Sequence, residues 1–427
     1  MRFSTVARAV ALVLSGSCVG DALAQNAPGI VKAEPHADHA IKAELNRLAD
    51  HAAAFLRGKQ DRATGAWGAA PDGSVPFPAV TGLVVAGLLM SPGVGPDDAA
   101  VAPALKFLLG AQKSDGGIYT AALPSYNTAI SLAALARVNN PDPRTREAIQ
   151  KAQTFLRQLQ FGDPAAADLN IGEAAQPVPK DHAFHGGWGY GRHGRPDLSN
   201  SQWALEALHD SGVPADDPAF QRALVFLQRL QMTDAHNDMP YADGSSQGGF
   251  IYATSENKDT VGVGQSFAGT IEETLTDGTR VSRLRAYGGM TYAGFKSYLY
   301  AGLAKDDPRV QAAYGWIRRH YTLDENPGLG LDGYYYYLHT FARALSAYGS
   351  PTIDVHPDAS PDAAPNDPQK ADPPAATTRD WRADLAARLA SLQQPDGSFK
   401  PLDDRWMEND HVLITAYALL ALRHAAR

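Results

Sequence analysis

Apolar positions recur along this chain with helical spacing, and they do so in paired segments that repeat. The first helix of each pair is apolar at i, i+3 and i+4, shows Lys, Arg and Gln on its other face, and ends in a Leu/Gln segment. A glycine-rich turn with an aromatic follows, and then a helix rich in Ala and Leu. Residues 104–112, 115–119 and 127–135 make one such unit; 152–160, 186–191 and 200–208 make the next. The pattern returns at 223–231 with 248–250, and at 385–394 with 395–399 and 415–422. Two looser copies lie at 52–60 with 65–68 and 80–89, and at 309–321 with 334–348.

Six pairs predict twelve helices. The amphipathic member suits an outer ring, and the nearly all-apolar member suits an inner ring buried against it. No pair covers its own apolar face, so neighbours must stack, and six pairs can close into a double-layered barrel. The expected fold is therefore all-α, an α/α toroid, with repeats 1–5 over 45–349 and the closing repeat over 379–427. Between them, 350–378 is so rich in Pro, Asp and Ala that it reads as a linker. Asp97-Asp98, Asp216-Asp217-Pro218 and Asp306-Asp307-Pro308 each precede an outer helix, where a carboxylate caps free N–H groups and proline has none to lose. Insertions at 161–185 and 254–285 fall between an outer and an inner helix, so both are expected to cover one mouth of the barrel.

Composition narrows the chemistry. Arg2 and Arg8, the apolar run 10–14 and Ala22-Leu23-Ala24 read as a secretory signal over 1–24, which implies a periplasmic or secreted protein. The only cysteine, Cys18, lies inside it, so the remainder has no thiol for a disulfide or a cysteine-ligated metal. The formal charge of −8 and the lack of a basic stripe argue against a nucleic-acid partner. After the signal no apolar run approaches the roughly 20 residues of a membrane span.

Segments 112–119 (QKSDGGIY) and 393–399 (QQPDGSF) resemble the QW-type repeats of squalene and hopene cyclases, in which a glutamine ends the outer helix and a following aromatic staples adjacent hairpins. Gly288-Gly289-Met290-Thr291-Tyr292-Ala293-Gly294 and the YYYYL of 334–338 further resemble bacterial proteins with prenyltransferase and squalene-oxidase repeats. The resemblance spans nearly the whole chain and implies the terpenoid-cyclase and protein-prenyltransferase toroid. It does not bring the chemistry along, because fold does not imply function. A class II cyclase needs a D-x-D-D run, and Gly95, Pro214, Ala304 and Pro401 stand where its first Asp belongs. The prenyltransferase zinc site and the thioester of complement-like domains both need a cysteine.

Three polar clusters remain. Tyr336, His339 and Arg343 fall at i, i+3 and i+7 of an inner helix, a Tyr/His/Arg set that could serve a polysaccharide lyase; lining tyrosines at a wet rim are the alternative. Trp406, Glu408, Asn409, Asp410 and His411 open the last inner helix, with Asp410 either a cap or half of a dyad. His182, His185, Trp188, Tyr190, Arg192 and His193 surround a glycine turn, at intervals matching no standard zinc spacing. Tyr336, His339 and Asp410 are the candidate catalytic group, expected to share one cavity; Trp188, Tyr190, Asn200, Tyr292, Arg343 and His411 are the expected ligand contacts. No metal and no cofactor is expected. The sequence leaves three functions open: binding of an apolar or isoprenoid-like ligand, a divergent terpenoid cyclase or isomerase, and a glycan lyase or hydrolase.

Overall fold

A computed structural model describes residues 35–68, 76–120, 122–164, 177–191, 194–356 and 376–427. The expected signal segment, Arg192 and His193, and 357–375 of the linker lie outside these residues. Among the described residues, twelve α-helices alternate between two rings. The inner helices are α2 (Pro78–Leu89), α4 (Pro124–Leu135), α6 (Leu198–Asp210), α8 (Gly288–Tyr300), α10 (Tyr334–Tyr348) and α12 (His411–Ala425). Each packs on the next and α12 packs back on α2, so the ring is closed. Outside them run α1 (Pro35–Gly58), α3 (Val101–Gly110), α5 (Pro143–Gln158), α7 (Pro218–Leu230), α9 (Pro308–Arg319) and α11 (Trp381–Leu392).

The repeat grammar has a hydrogen-bond meaning. Gln112 Nε2 donates to the Gly116 carbonyl of its own turn and to the Ala148 carbonyl of the next outer helix. Gln60, Gln160 and Gln231 do the same toward the starts of α3, α7 and α9. Gln393 reaches Leu48 of α1, so the same staple that joins neighbours also closes the ring. The fifth repeat has no such glutamine, and there the Tyr321 hydroxyl donates to Asp384 of α11 instead. A second recurrent bond ties turn to inner helix: Thr81, Thr128, Ser201, Thr291 and Thr415 each accept the backbone N–H of the residue one or two places after the turn glycine.

Asp98, Asp217 and Asp307 accept N–H groups at the starts of α3, α7 and α9, which makes them caps. Asp98 and Asp217 also pair with Arg57 and Arg157 of the preceding outer helix.

Strands are few and lie outside the helix pairs' packing. β1 (Trp188–Gly189) pairs with β2 (Pro196–Asp197) beside α6. β3 (Thr270–Thr274) and β4 (Arg280–Leu284) form an antiparallel hairpin within the second insertion. β5 (Thr352–Val355) pairs with β6 (Thr377–Asp380), so both ends of the predicted linker are ordered strand. The cause is local: Ile353 and Val355 alternate inward and are buried, which anchors the pair against α9 and α11. The two insertions part company. Phe267 of the second reaches the barrel mouth; of the first, 165–176 lie outside the described residues, and its described Phe161, Ala183 and Phe184 form a separate small apolar cluster with Val178 and Met239.

Candidate functional site

The bore of the barrel is layered, because bore-facing residues recur every three to four positions down each inner helix. Near the helix N-termini lies a chamber of about 280 Å³. Its wall takes Val80 and Leu83 from α2, Tyr126 and Ile130 from α4, Ser199 from α6, Met290 from α8, Tyr336 from α10, and Leu413 and Tyr417 from α12. Loops complete it with Tyr190, Tyr252, Phe267, Tyr287, Trp406 and Glu408. Half-exposed Trp406 and Met407 mark where it meets solvent. Both take left-handed backbone conformations, with φ of 55° and 68°. Two consecutive non-glycine residues in that region store strain, which neighbours must hold in place. Phe267 and the Arg405 guanidinium pack on the Trp406 ring, and Arg405 pairs with Asp332.

Among the described residues, Glu408 is the only acidic or basic side chain in this wall. Its two oxygens accept the N–H groups of Tyr335 and Tyr336, capping α10 from another repeat. Burial pushes its carboxyl up to about 7, against the pull of those donors. A second acid, Asp197, lies behind the wall beneath Tyr190 and Tyr252, where burial raises it to about 6 while Asn200 donates to it.

Below the chamber a floor of Trp203, His339 and Tyr417 crosses the bore. His339 stacks on both rings, at centroid distances of 5.2 and 5.8 Å. Among the described residues neither of its ring nitrogens has a hydrogen-bond partner, and burial drives it down to about 3, so it stands neutral. Beneath it is a charged layer. Lys296 bonds to Glu206 and Gln202, Arg343 to Asp210 at 2.6 Å, and Arg137 to Asp210 at 2.8 Å. Three cations against two carboxylates leave an excess of positive charge at the end where six helix C-termini converge, and those termini carry partial negative charge. Arg137 donates directly to the Ala133 carbonyl there.

The sequence-predicted residues are thus distributed over several layers. Tyr336 and Tyr190 line the chamber. His339 and Arg343 share the face of α10 with Tyr336, as their spacing implies, but lie in the floor and the charged layer. Asp410 does not join them: its carboxylate caps α12 by accepting from Val412 and Leu413, while His411 is exposed. Trp188 belongs to the hairpin staple, its indole N–H donating to Leu156. Asn200 is committed to Asp197, and Tyr292 packs between α8 and α10 against Tyr337 and Phe341. Tyr126, Tyr417 and Phe267 are wall residues that the sequence did not single out, and Glu408 was named there only within the cluster that opens the last inner helix. Among the described residues, no group of three His, Cys, Asp or Glu side chains is placed to hold a metal ion, and no helix is long and apolar enough to cross a membrane.

No protein-family profile matches the sequence, and no curated protein does either. Solved structures do match in shape. A variant of the type II terpene cyclase MstE from Scytonema, in complex with geranylgeranyl dihydroxybenzoate, aligns over 91% of this chain and 99% of its own, at 15% identity and a TM-score of 0.50. An unsaturated glucuronyl hydrolase specific for heparin aligns over 90% and 97%, at 14% identity and a TM-score of 0.51. At such identities the likeness establishes the fold alone, and that fold is the α/α toroid.

Proposed function

We propose that this protein binds an apolar, isoprenoid-like ligand in the upper chamber. The observation that supports it is the wall itself, which is aromatic and aliphatic nearly throughout and holds a single carboxyl. Dry apolar cavities of about 150 Å³ take up benzene, so a chamber about twice that size suits a branched hydrocarbon skeleton. Its aromatic faces give dispersion contacts and fit unsaturated chains. The cyclase relative is solved with an isoprenoid-bearing substrate.

A second reading, acid-initiated isomerisation or cyclisation, is favoured by Glu408 alone, an acid titrating near neutrality at the chamber wall. A carboxyl of that strength is a poor proton donor toward an unactivated alkene, so binding is the stronger proposal. A glycan lyase or hydrolase fits least. Glycosidases ordinarily flank the scissile bond with two carboxylates, and Asp197 sits behind Tyr190 and Tyr252. The Tyr336, His339 and Arg343 set cannot act together, since Arg343 is bound by Asp210 below the floor.

Gly289 offers a direct test. It lines the chamber, its backbone is helical, and a Cβ there meets nothing closer than 3.6 Å. Gly289→Leu therefore extends into the chamber with little strain. Titration with a fifteen-carbon isoprenoid alcohol, followed by calorimetry, is expected to show at least a tenfold loss of affinity with the melting temperature nearly unchanged. Unaltered affinity in a folded variant would place the ligand elsewhere.

A further inference from the structure

The chamber is apolar around its sides but not at its base. Tyr126, Tyr336, Tyr417 and Ser199 bring four hydroxyls together there. The Ser199 hydroxyl lies 3.5 Å from that of Tyr336, and the Tyr126 hydroxyl is close enough to those of Ser199 and Tyr417 to interact with both. From below, the Trp203 indole N–H donates to the Tyr126 oxygen at 3.0 Å. These groups come from α4, α6, α10 and α12, so four separate repeats converge on one spot. Each hydroxyl has one proton to give and two lone pairs to fill, and the indole adds one proton. The cluster can therefore accept a further donor without giving up a bond it already makes. In an otherwise apolar wall, a few convergent polar groups are what orient a ligand.

The charge the ligand can carry follows from the helix N-termini. Six of them face this end of the barrel, and their free N–H groups would attract an anion such as a diphosphate. Five already have a side-chain acceptor. Asp197 serves α6, Glu408 serves α10 and Asp410 serves α12. Asn326 Oδ1 takes the Gly289 N–H of α8, and Asn127 Oδ1 takes the Ala79 N–H of α2. Three of these five acceptors are carboxyl groups, and among the described residues no Lys or Arg lines the chamber. Five of the six positive ends are thus answered by the protein's own acceptors, and an incoming anion would meet Glu408 in the wall, the nearby Arg405 being paired with Asp332.

We infer that the ligand is an uncharged, mono-oxygenated isoprenoid, an alcohol whose hydroxyl is held at the chamber base by Tyr126, Tyr336, Tyr417 and Ser199. The inference rests on the apolar-ligand proposal above and narrows it to one chemical class. Burial keeps the three phenols protonated, since it raises Tyr126, Tyr336 and Tyr417 above their ordinary range, and neutral phenols both donate to and accept from an alcohol.

Three probes of one carbon skeleton separate the outcomes: farnesol, farnesene and farnesyl diphosphate, each titrated into the full chain by calorimetry. Farnesol is expected to bind about tenfold more tightly than farnesene, the gain of a satisfied buried hydrogen bond, and the diphosphate more weakly than farnesol. Tyr336→Phe and Ser199→Ala, both keeping the wall's shape, are expected to reduce the alcohol's advantage about fivefold while leaving farnesene affinity within twofold. Melting temperatures confirm that each variant is folded, and Ser199→Ala stands if Tyr336→Phe is not. Equal binding of alcohol and hydrocarbon would overturn the inference and leave the apolar-ligand proposal intact. Tightest binding by the diphosphate would overturn it too. If none of the three binds, the apolar-ligand proposal itself falls and takes the inference with it.

Discussion

Glu206→Ala is expected to destabilise the protein by about 3–5 kcal/mol, the usual consequence of breaking a buried ion pair from one side. Glu206 is 1% exposed and Lys296 is fully buried. Lys296 hydrogen-bonds to Glu206 and Gln202, so removing the carboxylate leaves a buried ammonium without its bonded counter-charge. Burial alone would raise the Glu206 carboxyl, but Lys296 and Arg343 outweigh it and hold the group well below the carboxylate range. Denaturant midpoints at neutral pH measure the loss. Glu206→Leu combined with Lys296→Met should recover most of it, because an apolar pair of similar volume replaces two desolvated charges. A loss below about 1 kcal/mol in the single variant would mean that water reaches the charged layer and that the lower mouth is not sealed.

Gly186→Ala is expected to cost on the order of 3 kcal/mol, from a left-handed backbone and a steric conflict acting together. Gly186 has φ of +89°, and a Cβ there would stand 1.9 Å from the Arg222 carbonyl oxygen of α7. Either the turn or the helix must shift, and the Gln160 staple joins the two at that point. Gly212 is the control. Its φ is +85° but nothing lies within 4 Å of its Cβ position, so Gly212→Ala should cost only the backbone part, about 1 kcal/mol. Thermal melts of both variants separate the terms. Equal losses would show that the close approach at Gly186 contributes nothing.

How the helices close into a ring was legible in the sequence because it depends on short-range pattern. The Leu/Gln endings, the turn glycines and the Asp-Pro starts each repeat, and each turned out to have one job that repeats with it. Even the bore face of α10 followed from spacing, since Tyr336, His339 and Arg343 do point the same way. Depth did not follow. At a rise of about 1.5 Å per residue, seven residues separate Tyr336 from Arg343 by about 10 Å, which is enough to put one in an apolar chamber and the other in a charged layer. Periodicity says which side of a helix a residue occupies and not what its neighbours contribute at that height.

Glu408 was harder still. It stands two residues from Asp410, and a helix-start pattern favours the latter, which is indeed a cap. That Glu408 caps a different helix, 73 positions earlier in the chain, depends on the left-handed turn at Trp406 and Met407. Neither residue type announces such a conformation. Tyr126 and Tyr417 were equally silent, because an aromatic inside an apolar helix looks like core until the bore is seen.

The central claim, an isoprenoid-like ligand in the upper chamber, is tested most directly by photolabelling. A fifteen-carbon isoprenoid alcohol bearing a diazirine would be irradiated with the full chain, and the modified peptides identified by mass spectrometry. Label is expected on the segments holding Tyr126, Met290 and Leu413, which face one another only across the chamber, and an excess of farnesol should suppress it at least tenfold. Label confined to outer helices, or undiminished by the competitor, would contradict the account.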